Sequence, residues 1–80
     1  MKLTLLIRPE CGLCEEMLGA LQALRARTPL PELVLQDVDS DPVLQRRYGL
    51  KIPVLLLDDV PICRVQLDAA KLLAVLAHHR

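Results

Sequence analysis

Apolar residues along the chain occur in short runs that alternate with stretches of helical spacing, and this alternation predicts strands and helices in turn. Each run is bounded by proline or charged residues and has the length of a buried strand. The runs lie at 2–7, 33–38, 54–57 and 62–67. We therefore expect four strands.

Three helices are predicted from apolar spacing and from capping residues. The longest runs from Gly12 to about Arg27, where apolar residues recur three and four positions apart and form one core-facing stripe. Asp41, followed by a proline, begins a short helix that Gly49 ends, and Asp68 caps the last helix. The predicted buried faces are Cys14, Met17, Leu18, Leu21 and Leu24 in the first helix and Ala69, Leu72, Leu73 and Leu76 in the last.

The order of these elements is βαβαββα, which predicts an α/β fold. A strand, helix, strand succession favours a parallel crossover, whereas the last two strands are separated only by 58–61 and should form an antiparallel hairpin. The result is a four-stranded mixed sheet flanked by helices. With 80 residues and neither linker nor repeat, residues 1–80 are expected to form a single domain.

Composition and charge narrow the range of functions. Ten Lys and Arg residues balance ten Asp and Glu residues, and Phe and Trp are absent, which argues against nucleic-acid binding. No apolar stretch has the length of a membrane span or of a signal peptide. We expect a cytoplasmic monomer with no nucleic-acid or membrane partner.

The candidate chemistry lies in Cys11 and Cys14, at the predicted start of the first helix. Because a helix rises only about 1.5 Å per residue, Cα atoms three positions apart are within reach of a disulfide. Cys14 belongs to the apolar stripe, whereas Cys11 precedes the first turn, where free backbone N–H groups favour a thiolate. We therefore assign Cys11 as the exposed nucleophile and Cys14 as the buried resolving thiol.

The activation of Cys11 depends on opposing charges. A helix end supplies about 0.3 to 2 kcal/mol in favour of the thiolate, and Arg8 adds positive charge. Glu10, Glu15 and Glu16 oppose both effects. We expect a mildly activated thiol, which suits a disulfide reductase or electron carrier better than a strong oxidant.

Two other interpretations of the cysteine pair stay open. The pair is either structural, on a noncatalytic module, or half of a zinc site whose remaining ligands would be Cys63, His78 and His79. Cys63 is more typical of a small buried residue on a strand, and histidines at a helix end are more typical of a solvated terminus. We therefore expect no bound metal.

A second candidate element is "KIPV", where Pro53 directly precedes an apolar run. A trans proline that begins an edge strand is the common interpretation of such a position. A cis bond between Ile52 and Pro53 would instead turn the backbone of Ile52 toward solvent beside the first helix, where a substrate strand can pair. The presence of the cysteine motif favours this second interpretation.

The segments "CGLC" and "YGLKIPVLLLDD", with the closing hairpin and helix, resemble the thioredoxin superfamily. "RPECGLCEE" and "IPVLLL" are similar to a small bacterial glutaredoxin-like family whose pair reads C-x-L-C. The resemblance implies a thioredoxin-like fold in which Cys11 attacks and Cys14 resolves. It also implies that Pro53 is the cis-proline facing the cysteines, and that Ile52 and Leu13 contact substrate.

Several residues depart from the patterns of these families. Leu13 stands where glutaredoxins have a tyrosine, and Cys63-Arg64 stands where they have the Gly-Gly that glutathione approaches. Leu5 occupies the position of a buried acid in thioredoxins. We therefore expect no bound cofactor, and these residues argue against glutathione as the co-substrate that the resemblance alone would imply.

The sequence thus predicts a thiol–disulfide oxidoreductase that uses Cys11 and Cys14 as a dithiol couple. Its partners would be a protein or small-molecule disulfide and an unidentified reductant. The alternative, from another functional class, is a noncatalytic thioredoxin-fold module that docks a peptide or partner near Pro53.

Overall fold

The computed structural model describes residues 1–78 and has the predicted order of strands and helices, with one added 3₁₀ turn at Val38–Ser40. The predicted α/β class, with a four-stranded mixed sheet and three α-helices, is confirmed in residues 1–78. The strands are β1 (Lys2–Ile7), β2 (Glu32–Asp37), β3 (Val54–Leu57) and β4 (Val60–Arg64), and the helices are α1 (Gly12–Arg25), α2 (Pro42–Tyr48) and α3 (Ala69–His78).

The four strands form one mixed sheet in the order β2-β1-β3-β4. β1 is parallel to β2, while β3 is antiparallel to both β1 and β4. Leu6, near the end of β1, pairs with Val54, the first residue of β3, which in turn pairs with Arg64 at the end of β4. The segments leading to Cys11 and to Pro53 therefore meet at the same end of the sheet.

Apolar side chains alternate between the two faces of the central strands, so the core consists of two clusters. One cluster joins β1, β3 and β4 to α1 and α3; its buried members are Leu3, Leu5, Met17, Leu21, Leu24, Leu55, Leu57, Ile62 and Leu72. The other lies on the face covered by α2 and consists of Leu6, Val38, Val54 and Leu56, with Leu44, Tyr48 and Ile52 packed against it.

The hairpin is tighter than the sequence pattern predicted. Asp58 and Asp59 both have positive φ values, 47° and 70°, so two residues suffice for the turn and β4 begins at Val60 instead of residue 62. Pro61 then lies inside β4, which is tolerated because β4 is an edge strand. β4 ends at Arg64, before a residue that also has positive φ.

Two helix details add to the sequence prediction. Gly49 is the C-cap of α2, so the predicted end of this helix is confirmed, and its φ of −55° is right-handed. A Cβ atom at residue 49 would lie 2.5 Å from the Gln45 carbonyl oxygen, so this close approach accounts for the glycine. On α3, Leu73 is 38% exposed and Val75 packs against the core in its place.

Candidate functional site

Cys11 and Cys14 lie at the start of α1, and their Sγ atoms are at disulfide-bonding distance. Their Cα atoms are 5.2 Å apart, inside the usual range for a disulfide. Cys11 is the helix N-cap, and its Sγ accepts a hydrogen bond from the Cys14 backbone N–H at 3.2 Å. Cys14 is 4% exposed, while Cys11 is only half-buried. One sulfur is thus accessible and the other is enclosed by the core.

The chain turns sharply into this helix at Glu10, which has a φ of 58°. A left-handed conformation costs a non-glycine residue about 1 to 2 kcal/mol, and here it places Cys11 at the N-cap. A cavity of about 180 Å³ adjoins the cysteines and is lined by Ile7, Arg8, Pro9, Glu10, Cys11, Cys14, Glu15 and Leu18. Glu10 and Glu15 therefore line the same cavity as the two cysteines, while Glu16 lines a different cavity.

Ile52 and Pro53 are not part of that cavity, but they lie at the same end of the sheet. The peptide bond between them is cis. Pro53 is fully buried, and its carbonyl oxygen accepts a hydrogen bond from the Val65 N–H at 2.7 Å. Ile52 is half-buried, and among residues 1–78 neither its N–H nor its C=O has a hydrogen-bond partner. Leu13, between the cysteines, is 45% exposed.

Arg8 forms a clamp between three segments at this end of the sheet. Its guanidinium donates to both carboxylate oxygens of Asp39, at 2.8 and 2.9 Å, and to the Gly49 carbonyl oxygen at 3.1 Å. Gln45 donates to the same carboxylate at 3.1 Å. The clamp ties the residues before Cys11 to the 3₁₀ turn and to the end of α2, three residues before Ile52.

The clamp also changes the role expected of Arg8. Its positive charge is paired with Asp39 and is therefore not free to act on Cys11 alone. The hydrogen bond from Arg8 lowers the pKa of Asp39, and the same hydrogen bond raises the pKa of Arg8. Asp39 was not among the residues that the sequence pattern singled out, because the two partners lie 31 positions apart.

The clamp predicts a pH-dependent contribution to stability. Because the pKa of Asp39 is lower in the folded chain than in the unfolded one, its contribution is complete above the unfolded pKa and is lost as the pH falls through the folded pKa. Asp39→Asn should therefore lower the urea midpoint at pH 7, and the difference from wild type should shrink between about pH 5 and about pH 2.

Asp59→Asn is the matched control, since it removes an exposed carboxylate that has no salt bridge among residues 1–78. An Asp39→Asn difference that stayed constant over the same pH range would contradict the pairing.

Cys63 and the histidines are the remaining residues with candidate redox or metal-binding chemistry. Cys63 is a free, half-buried thiol on β4 that packs against the larger core cluster. Within residues 1–78, no group of three or more His, Cys, Asp or Glu side chains is placed to hold a metal ion. His78 ends α3, and His79, named as a possible zinc ligand, lies outside the described residues. No helix in the described part of the chain combines the length and apolar character needed to cross a membrane.

The mixed sheet with a cysteine pair at the start of α1 defines a thioredoxin-like protein. Thioredoxin 1 from the thermophilic eubacterium Thermosipho africanus shares this fold, with a TM-score of 0.61 and 17% identity over 99% of this chain and 93% of that one. Fasciola hepatica thioredoxin is similar, with a TM-score of 0.56 and 20% identity over 99% and 80%.

The family is shown by a direct sequence match. The model of the Glutaredoxin-like domain (DUF836) family matches residues 2–77, and the chain belongs to this family. The X-ray structure of Northeast Structural Genomics target protein XcR50 from X. campestris is 33% identical, with a TM-score of 0.69 over 95% of this chain and 96% of that one. No curated protein matches the chain. The predicted membership of a glutaredoxin-like family is thereby confirmed.

Proposed function

We propose that this protein is a thiol–disulfide oxidoreductase, a disulfide reductase or electron carrier, that works through Cys11 and Cys14. The observation that carries the proposal is the cysteine pair itself: two sulfurs at bonding distance, one accessible and one buried, at a helix N-terminus in a thioredoxin-like fold. A helix N-terminus stabilises negative charge, which an attacking thiolate requires.

The reaction proceeds in two exchanges. The Cys11 thiolate attacks one sulfur of the substrate disulfide, the substrate S–S bond breaks, and the departing thiolate takes up a proton. Cys14 then loses its proton and attacks the Cys11 sulfur, which releases the second substrate thiolate. The substrate gains two electrons and two protons, and the protein is left with a Cys11–Cys14 disulfide. A dithiol reductant, or two monothiols, must then return two electrons.

The groups around the cysteine pair favour a Cys11 thiolate that is only moderately stabilised. The Cys14 N–H points at the Cys11 sulfur and stabilises charge there, whereas Glu10 and Glu15 line the same cavity and repel it. Strong oxidants of this type depend on a heavily stabilised thiolate. This balance supports a reductase that operates in a reducing compartment such as the cytoplasm.

Substrate would contact the residues at the end of the sheet where Cys11 and Ile52 lie. The free N–H and C=O of Ile52 are available to pair with an extended substrate segment, and exposed Leu13 offers apolar contact beside Cys11. Pro53 affects substrate binding through the backbone, because its ring is buried and shapes the backbone at Ile52.

A noncatalytic docking module is the second candidate. Leu50, two residues before Ile52, is fully exposed, and Leu13 is also exposed, so apolar side chains are presented at this end of the sheet. Exposed apolar groups at one surface are typical of sites that bind a protein partner. Such a module would bind its partner without any change in the oxidation state of the cysteines.

A trapping experiment separates the two candidates. Cys14→Ser should accumulate mixed disulfides with substrate proteins from a cell lysate, because no second thiol remains to release them. These adducts should disappear on reduction and should be absent from the Cys11→Ser/Cys14→Ser variant. Partners that the double variant retains equally well would instead support the docking module.

A further inference from the structure

A second, larger cavity lies at the edge of the sheet formed by β4. Its volume is about 360 Å³, and its lining includes Tyr48, Lys51, Val54, Arg64 and Lys71. Three of the eight lining residues are cations and none is acidic. We call this cavity the cationic pocket.

The three cations have no carboxylate partner in the described part of the chain. Among residues 1–78, the only Lys or Arg contact with a carboxylate within 4.0 Å is that of Arg8 with Asp39. Asp68 lies near Lys71, but its carboxylate accepts a hydrogen bond from the Lys71 backbone N–H. In a chain whose total charge is zero, the pocket is thus a local concentration of unpaired positive charge.

The pocket lies at the same end of the sheet as the cysteines. Lys51 directly precedes Ile52, and Arg64 pairs with Val54, the residue after Pro53. β1, which leads to Cys11, is two strands away from β4, a separation of roughly 10 Å. An extended peptide covers about 3.3 Å per residue, so at least about three residues are needed to cross from β1 to β4.

We propose that the cationic pocket binds acidic side chains of a protein substrate, three or more residues from the cysteine whose disulfide is attacked. The proposal rests on the proposed function of Cys11 and Cys14. An acidic segment of a disulfide-containing protein is the occupant that the charge and the position of the pocket favour, because it brings carboxylates to Lys51, Arg64 and Lys71 and a disulfide to Cys11 on one chain. Several carboxylates spaced along a chain can each meet one of them.

Matched peptides test this selectivity. Two disulfide peptides differ only in carrying Asp or Asn at the third and fourth positions on either side of the cysteine. The wild-type protein should reduce the Asp peptide with a kcat/KM roughly tenfold higher than the Asn peptide, and the difference should fall as salt rises. Arg64→Glu and Lys51→Glu should each reduce the preference for the Asp peptide severalfold without slowing the Asn peptide.

Arg27→Glu is the matched control, because it makes the same charge change at an exposed residue outside the pocket and should keep the preference. Equal kcat/KM values for the two peptides in wild type, or an equal loss in Arg27→Glu, would overturn the proposal. An effect seen with glutathione disulfide but absent with the peptides would overturn it too.

Failure of this proposal is distinguishable from failure of the proposed function. Reduction of both peptides at equal rates refutes the pocket but leaves the oxidoreductase. Binding of the same peptides with Ser in place of Cys, followed by fluorescence anisotropy, needs no exchange chemistry. Tighter binding of the Asp form, weakened by Arg64→Glu, would support the pocket even if neither disulfide peptide were reduced, and equal binding would refute it.

Discussion

Cys11→Ser is expected to lower the rate of peptide disulfide reduction by about a thousandfold or more, to the uncatalysed background. A serine oxygen cannot form the mixed disulfide, so the first exchange has no nucleophile. Loss of folding does not explain this result, because Cys11 is the N-cap of α1 and serine is among the best N-cap residues. The turnover of a disulfide peptide, measured by thiol release, gives the rate.

The control for this prediction is Cys63→Ser, which removes the free thiol on β4. With a disulfide peptide that contains no acidic residue it should keep the wild-type rate, since Cys63 lines the cationic pocket but not the cavity at Cys11 and Cys14. A Cys11→Ser protein that retained the wild-type rate, or a Cys63→Ser protein that lost it, would place the chemistry elsewhere.

Leu5→Ala is expected to lower the free energy of unfolding by about 2 to 5 kcal/mol, the range for a leucine removed from a closely packed core. Leu5 is fully buried in the middle of β1, between β2 and β3, in the cluster that also holds α1 and α3. A domain of this size has little stability to lose. Urea unfolding in reducing buffer measures the change, and Leu5→Ile, which keeps the volume, should cost less than about 1.5 kcal/mol.

Leu35→Ala is the matched control, because Leu35 is the partner of Leu5 in β2 but is 46% exposed. It leaves little or no cavity, so we expect a cost of about 1 kcal/mol or less. Equal losses at the two positions would contradict the burial of Leu5 in the core and the exposure of its partner on the edge strand.

The central fold was predictable because its signals are local. Apolar runs gave β1 and β3, the three-and-four spacing gave α1, and aspartates gave the starts of α2 and α3. Asp41 and Asp68 do accept the expected hydrogen bonds, from the N–H groups of Val43 and Lys71 at 2.8 and 2.9 Å. The position of the cysteine pair followed from the start of α1.

Features that depend on strained backbone or on distant pairing were not predictable. Asp58-Asp59 is not a common hairpin turn sequence, so no local pattern indicates the two left-handed residues, and the apolar pattern places Pro61 in the loop. The Arg8–Asp39 clamp joins residues from different elements, and no local pattern indicates which of several aspartates Arg8 selects. The cationic pocket has no local pattern for the same reason, since its cations are brought together only by the hairpin and α3.

Among residues 1–78, no carboxylate is buried beneath the cysteine pair. Leu5 occupies that position and belongs to the apolar core, so proton transfer to or from Cys14 has to use the cavity side, where Glu10 and Glu15 lie. Glu15 follows Cys14 directly in α1. Neighbouring residues of a helix point in different directions, so the shared cavity, and not this adjacency, makes Glu10 and Glu15 the carboxylates that we expect to exchange the proton.

The central claim is that Cys11 and Cys14 form a reversible redox couple, and counting free thiols in the folded Cys63→Ser protein tests it most directly. The protein should show two free thiols after equilibration with excess dithiothreitol and none after mild oxidation, with the change reversed by renewed reduction and no dimer formed. Two thiols that remain free after oxidation, or a disulfide that resists reduction in the folded protein, would contradict the account.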